Sequence, residues 1–303
     1  IIVLFTGDEE TTGKGAELAS TEWRDLIDAE YALNSDAGGG KFLKDGTALG
    51  YGIQAAEKTY RTYTFSVRNP GGHSSRPRPD NAIYELASVL KKLEAFSFEP
   101  GLNEVTRAYF TERVKIESGK LGDAMRRWLA NADDREAGDI IEADPTEVGT
   151  TRTRCVATRL DGGHADNALP QLAMATVNCR ILPGIDPVDV EAGLKQLVGE
   201  NVEVAMSDAF GAPTDASPLR DDVVTAFTKA VQKRHPGVPI IPKMSTGATD
   251  GLFFRAVGIP VYGVAGEWLI SPEDERSHGR DERIPVLSFH ENLDIWYEMI
   301  GEL

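Results

Sequence analysis

Cysteine is nearly absent from this chain: Cys155 and Cys179 are the only two in 303 residues. Two such residues give no disulfide framework and no cysteine-based zinc cluster. Positive charge is also short, with 32 Lys and Arg against 48 Asp and Glu, a formal net charge of −16. That balance argues against a nucleic-acid partner or an anionic membrane surface. No apolar run approaches the ~20 residues of a membrane-spanning helix, and no repeat or low-complexity tract occurs. An initiator methionine is missing as well. Ile1 opens what reads as a central strand, and a domain rarely starts there, so the expectation is a piece of a longer protein. Any targeting segment would lie outside these residues, which leaves the compartment, cytoplasmic or periplasmic, unassigned. What remains is 41% hydrophobic and 26% charged, an ordinary globular composition at a length that suits two domains.

"IIVLF" (1–5) is a short apolar run closed by Gly7, the pattern of a strand covered on both faces. "TGKGAELASTEWRDLI" reads as a helix and "EYALNSD" as a second strand ending in "AGGG", which together predict a parallel βαβ unit. Asp8, Glu9, Glu10 and Asp36 then fall at strand C-terminal ends, the edge where open α/β sheets bind ligands. From about Tyr51 the alternation in "KTYRTYTFSVRN" predicts an antiparallel strand with one wet face. A helix follows over "PDNAIYELASVLKKLEAF", capped by Asp80 or Asn81. Residues 97–150 are charge-rich, with a helical stretch at "KLGDAMRRWLANA", and read by default as a solvated insertion. "TRTRCVATRL", "MATVNCRIL" and "VEVAMSD" are further strands, with the helix "DPVDVEAGLKQLV" before the last. "GAPTDASPL" (211–219) has linker composition. Beyond it the α/β alternation resumes through "DDVVTAFTKAVQKR", "PIIPKM", "DGLFFRAVG" and "PVYGVAG" to a last helix, "SFHENLDIWYEMIGEL". The expected architecture is α/β: a discontinuous mixed or parallel-sheet domain over 1–53 and 214–303, with an inserted α+β lid or dimerisation domain over 54–213.

Three adjacent carboxylates at Asp8–Glu10 repel one another unless a cation or a proton compensates them; an acidic first helical turn is the plainer reading. Among the histidines, His278 lies in the charged loop "ERSHGRDERIPV", and imidazole with carboxylates is a ligand set that suits zinc. His73 in "GGHSSRP" has flanking glycines that let backbone approach a ligand. His164 in "DGGHADNALP" is similar but less marked, and His235 and His290 read as surface or packing residues.

The ordered motifs "TGDEE", "NSDAGGG", "GGHSSRP", "NALPQLAMATVNCRILPG", "STGATDG" and "SHGRDERI" resemble those of the co-catalytic zinc metallohydrolases. That family includes aminoacylase, carboxypeptidase S, glutamate carboxypeptidase and acetylornithine deacetylase. The resemblance runs the length of the chain and is nearest the carboxypeptidase S branch. It implies that Glu9 is the general base, that Glu10 and His278 are ligands of one zinc, and that Asp36 is a ligand of a second. It further implies that His73 stabilises the oxyanion, commonly in a partner subunit's site, and that Asn167, Arg180 and Asp250 contact substrate. The implied activity is cleavage of an amide bond in small peptides or N-acyl amino acids, by a homodimer paired through the lid domain.

One departure stands out. Family members carry a His-x-Asp motif upstream of the acidic cluster, supplying a histidine and a bridging aspartate; residues 1–7 hold none, and the one His-x-Asp of these residues, His164–Asp166, lies far downstream of the cluster. Each ion would keep fewer than the three protein ligands that zinc sites ordinarily use. The expectation is therefore that this chain by itself binds zinc weakly or not at all and is inactive. A small-metabolite N-deacylase and a catalytically dead dimerisation scaffold are the alternatives. A two-lobed ligand-binding protein would leave the adjacent Glu9 and Glu10 unexplained.

Overall fold

The computed structural model describes residues 1–207 and 212–303. In chain order the elements begin with α1 (Lys14–Ser20), α2 (Arg24–Ile27), β1 (Ala32–Asn34), β2 (Gly39–Phe42), β3 (Ala48–Glu57), β4 (Thr59–Arg68) and β5 (Gly72–His73). Four helices follow: α3 (Ala82–Ala95), α4 (Glu104–Ile116), α5 (Gly119–Ala130) and α6 (Arg135–Glu142). Then come β6 (Arg154–Gly162), β7 (Ala168–Leu169), β8 (Leu172–Ile181), α7 (Pro187–Val198) and β9 (Glu203–Met206). The last stretch holds α8 (Asp221–Gln232), β10 (Ile240–Ser245), α9 (Gly251–Ala256), β11 (Val261–Gly263), β12 (Trp268–Ile270) and α10 (Val286–Glu302). These form two compact units, one of Ile1–Glu57, Leu102–Thr151 and Thr214–Leu303, the other of Lys58–Gly101 and Arg152–Pro213.

The first unit is built on a mixed sheet, as its composition of apolar runs and helices predicts. β3 lies between parallel β10 and antiparallel β2, β12 runs parallel to β2, and β11 joins β3 to parallel β1. Tyr51 and Ile53 on β3 are fully buried with Phe227 and Val231 of α8 and Ile295 and Met299 of α10. Each such side chain contributes roughly 1.5–3 kcal/mol on leaving water.

The second unit is an antiparallel sheet in the order β6-β8-β4-β9, with alternate residues of β4 and β8 buried. Phe65, Val177 and Cys179 pack with Leu86 of α3 and Leu194 of α7. α3 starts where the Asn81 side chain accepts the Ile83 amide, and α7 where Asp186 accepts the Val188 amide with Pro187 in the first turn. The short β5–β7 pair sets His73 opposite Ala168.

The structure departs from the sequence reading in several places. Residues 1–5 form no strand, and Ile1 and Phe5 are fully or almost fully exposed. Apolar residues give a strand only where a neighbour completes the ladder, and no described strand pairs with them. β1 finds its parallel partner in β11 instead. The expected first helix breaks at Thr21–Trp23 into α1 and α2. Residues 102–151 pack with the first compact unit, and Val105 joins its core. They are no solvated insertion: Phe110, Met125, Trp128 and Ile141 bury one another in a cluster of their own. Cys155 and Cys179, directly opposite on β6 and β8, are joined as a disulfide. The expected linker is anchored rather than loose, with Thr214 and Ser217 buried and the Ser217 amide donating to Ala55 O at 2.7 Å. Gly211, its first residue, and Asp208, the last of the expected strand, lie outside the described residues.

Candidate metal and catalytic site

The acidic triplet divides its labour. Asp8 caps α1: its carboxylate accepts the Thr12 hydroxyl at 2.7 Å, the Lys14 amide at 2.7 Å and the Gly15 amide at 3.0 Å. The Thr12 and Gly15 bonds hold its pKa below the ordinary carboxylate value. The turn that makes this possible passes through Gly13 at φ +59°, where an added Cβ would stand 2.5 Å from the Phe253 ring. For Asp8, then, the helix-start reading holds.

Glu9 and Glu10 remain for other work. Loss of hydration, then repulsion from Asp36, Glu10, Asp250 and Glu57, raises the pKa of Glu9. Asp36, in the turn after β1, keeps an exposed edge yet is raised by the same loss of hydration, then by Glu10 and Asp250. Asp250 stands at the start of α9 and accepts the Thr6 hydroxyl at 2.6 Å. His278 places Nδ1 4.0 Å from Glu10 Oε2. Among the described residues His278 is the one non-glycine with a left-handed backbone, at φ +61°. Such a conformation costs on the order of 1–3 kcal/mol and gathers at functional sites. Glu9, Glu10, Asp36, Asp250 and His278 thus meet around one edge of the first unit.

His73, Asn167 and Arg180 lie in the second unit. The exposed His73 ring holds Nδ1 2.8 Å from Ser75 Oγ, and the Ser74 amide donates to Asn167 O at 2.9 Å, so the two segments share a turn. Arg180 is half-buried on β8 with its guanidinium 4.7 Å from the Tyr60 ring centroid, and lost hydration lowers its pKa. His235 packs against Phe42 and Tyr51, His290 lies beside Phe289, and His164 is exposed.

Sequence reasoning passed over Glu57, Glu267 and Thr6. Glu57 is a buried residue at the end of β3, and Glu267, immediately before β12, adds a carboxylate within electrostatic reach of Asp36. Their one sequence signal is a lone acid at each strand end, in "QAAEKTY" and "VAGEWLI".

The donors fit zinc in kind, since carboxylate and imidazole are its usual oxygen and nitrogen ligands. They fall short in number: among the described residues no group of three or more His, Cys, Asp or Glu is placed to hold an ion. The clustered negative charge has a measurable consequence. Asp36→Asn should raise the thermal stability of the first unit, by about 0.5 kcal/mol or less once solvent screening is counted. Because the folded-state pKa is raised, the Asp36 contribution is favourable below the unfolded pKa and is lost as pH rises through the folded one. The gain should therefore be greatest at neutral pH and vanish in acid, a trend that thermal melts across pH would follow; a variant less stable at neutral pH would contradict it.

Residues 55–205 match the peptidase dimerisation domain, M20_dimer. The chain is 25% identical over 252 residues to "Probable carboxypeptidase S-like 2" of Dictyostelium discoideum, covering 82% of this chain and 47% of that protein. It is 28% identical over 305 residues to "N-fatty-acyl-amino acid synthase/hydrolase PM20D1" of Homo sapiens, covering 97% of this chain and 59% of the other. The chain therefore spans 47% and 59% of the length of these relatives. In fold it is similar to an M20 family metallo-carboxypeptidase, Sso-CP2, from Sulfolobus solfataricus, with TM-score 0.63 and 19% identity, covering 94% of this chain and 66% of that one. Human carnosine dipeptidase 1 shares the fold with TM-score 0.59 and 12% identity, covering 97% and 64% respectively.

Proposed function

We propose, from the premise that the chain belongs to the M20 peptidase family whose dimerisation domain it carries, that it serves a metal-dependent hydrolase cleaving an amide bond in small peptides or N-acyl amino acids. The observation that carries this reading is the gathering of Glu9, Glu10, Asp36 and Asp250 about His278, with the Glu9 and Asp36 pKa values raised by lost hydration and mutual repulsion. A fold gains nothing in stability from such a cluster, so a cation or a proton-transfer role is the economical account of it.

Glu10 and His278 would hold one zinc ion, and Asp36 would contribute to a second. Bound zinc supplies Lewis-acid polarisation of a carbonyl and acidifies water. Glu9 would take up a proton from the attacking water and give it to the leaving amine, a task suited to a carboxyl whose pKa is raised by lost hydration and neighbouring carboxylates. His73 would donate to the developing oxyanion, and Arg180 and Asn167 would receive the substrate carboxylate, with the Arg180 guanidinium favoured for that pairing. Asp250, beside Glu9 and Asp36, would contact substrate.

With no His-x-Asp ahead of the acidic cluster in these residues and fewer than three ligands for either ion, we expect these 303 residues alone to bind zinc weakly and to turn over no substrate. Zinc titration by calorimetry and an assay against N-acyl amino acids and dipeptides would check both statements. Tight zinc binding with full turnover by this chain would overturn the ligand count. A homodimer through the second unit is also proposed, with β6 as the contact strand. β6 is an edge of its sheet, and Val156 and Leu160 on it are exposed. Val156→Lys should shift sedimentation from dimer to monomer; a wild-type chain that is monomeric at all concentrations would defeat the idea. No helix among the described residues is long and apolar enough to cross a membrane.

A further inference from the structure

We propose that the buried pair Glu57–Arg255 positions the acidic site, fixing Asp250 and, through Thr6, the turn that bears Glu9 and Glu10. The inference rests on the hydrolase reading for its functional meaning, though its geometry is independent of it. Arg255, on α9, donates Nη1 to Glu57 Oε1 at 2.6 Å, with side chains only 3% and 1% exposed. Its other nitrogens reach Ser217 Oγ at 3.1 Å and Val261 O at 3.0 Å. The Ser217 hydroxyl in turn accepts the Val261 amide at 2.9 Å, and the Ser217 amide donates to Ala55 O. One guanidinium therefore ties the end of β3, the start of β11 and the segment before α8.

The second Glu57 oxygen takes two donors, one of them Gln54 Nε2 at 3.3 Å. Oε2 accepts the Thr249 hydroxyl at 3.0 Å, while that hydroxyl oxygen accepts the Gly251 amide at 3.1 Å. Thr249 is thereby fixed at both its hydrogen and its lone pair, and the next residue is Asp250. Asp250 accepts the Thr6 hydroxyl, and Thr6 lies two residues before the capping Asp8. The path from Arg255 through Glu57, Thr249, Asp250 and Thr6 to the Asp8–Gly13 turn is continuous in hydrogen bonds and covalent neighbours.

Stability is a poor explanation for such a pair. A buried ion pair is often replaceable by apolar side chains of equal volume with no loss, because desolvation offsets attraction. Apolar side chains could not aim a hydroxyl. Directed bonds from Glu57 can, and the residue so aimed adjoins the clustered carboxylates.

Hydrogen exchange by mass spectrometry on the 303-residue chain tests this without reference to turnover. Thr249→Val should speed exchange about tenfold at Leu252 and Phe253 and also at Thr11–Gly15, the size expected from one lost hydrogen bond to a charged group. Thr249→Ser, which keeps the hydroxyl, should restore both. Arg255→Lys should act as Thr249→Val does, since one ammonium cannot reach Glu57, Ser217 and Val261 together. The amides between β4 and β8 should stay unchanged throughout. Exchange that rises near residue 252 but not at 11–15, or that rises evenly across the first unit, would overturn the positioning role. Failure of the hydrolase reading would look different: no turnover in any form of the protein, with this exchange pattern intact.

Discussion

Glu9→Gln is expected to lower amide hydrolysis by about 10²–10⁴-fold in any form of the protein that turns over, the usual contribution of a positioned general base. Gln keeps the size and hydrogen-bonding outline of Glu but cannot take up a proton at neutral pH. The loss should appear in kcat with KM nearly unchanged, because Glu9 is assigned to proton transfer and not to ground-state binding. Zinc content should persist, since Glu10, Asp36 and His278 are untouched. The variant should be no less stable than the parent: it removes a carboxylate that Asp36, Glu10 and Asp250 repel. That combination separates a chemical defect from a folding one. Retained turnover would show that the base lies elsewhere.

Trp128→Ala should destabilise the first unit by about 3–5 kcal/mol, the range for deleting a large buried aromatic. Trp128 is fully buried on α5 and packs with Phe110 of α4, Met125 of α5 and Ile141 of α6. Other contacts also hold these helices: α4 reaches the main core through Val105, Glu142 of α6 accepts the Gly149 and Thr151 amides at 2.9 Å, and a buried Glu147 binds Tyr109 at 2.9 Å and Arg113 at 3.1 Å. Denaturant melts should show the lost midpoint together with lost helical signal. A shift below about 1 kcal/mol would mean that the cluster can close over the gap or contributes little.

The particular residues explain what was legible beforehand. Strands such as β4 and β8 announced themselves because one face is buried and the other wet, so alternation survives in the sequence. α3 and α7 carried their own start signals in Asn81 and in Asp186–Pro187. "IIVLF" misled for the opposite reason: continuous apolarity states that a segment wants cover, not that a neighbouring strand exists to cover it. The core of 102–151 was hidden because its apolar residues are spread among charges over three helices and meet only in tertiary structure. At the site, Glu9, Glu10, Asp36, Asp250 and His278 could be named from ordered motifs. Glu57 could not, since a buried acid at a strand end has no local pattern to distinguish it from an exposed one. Cys155 and Cys179 were set aside on their number, whereas the register of β6 against β8 decides their pairing.

The order in which the chain leaves the ribosome gives one further consequence. Ala32 waits for Val261 before its strand has a neighbour, and Tyr51 waits for Pro239 and Ile240. The second unit can close once its own strands and helices have emerged, well before the last residues of the chain. A nascent protein halted short of α8 would thus hold a finished antiparallel sheet while the first unit still lacked partners for β1 and β3, and premature release there would yield the second unit without a folded first one.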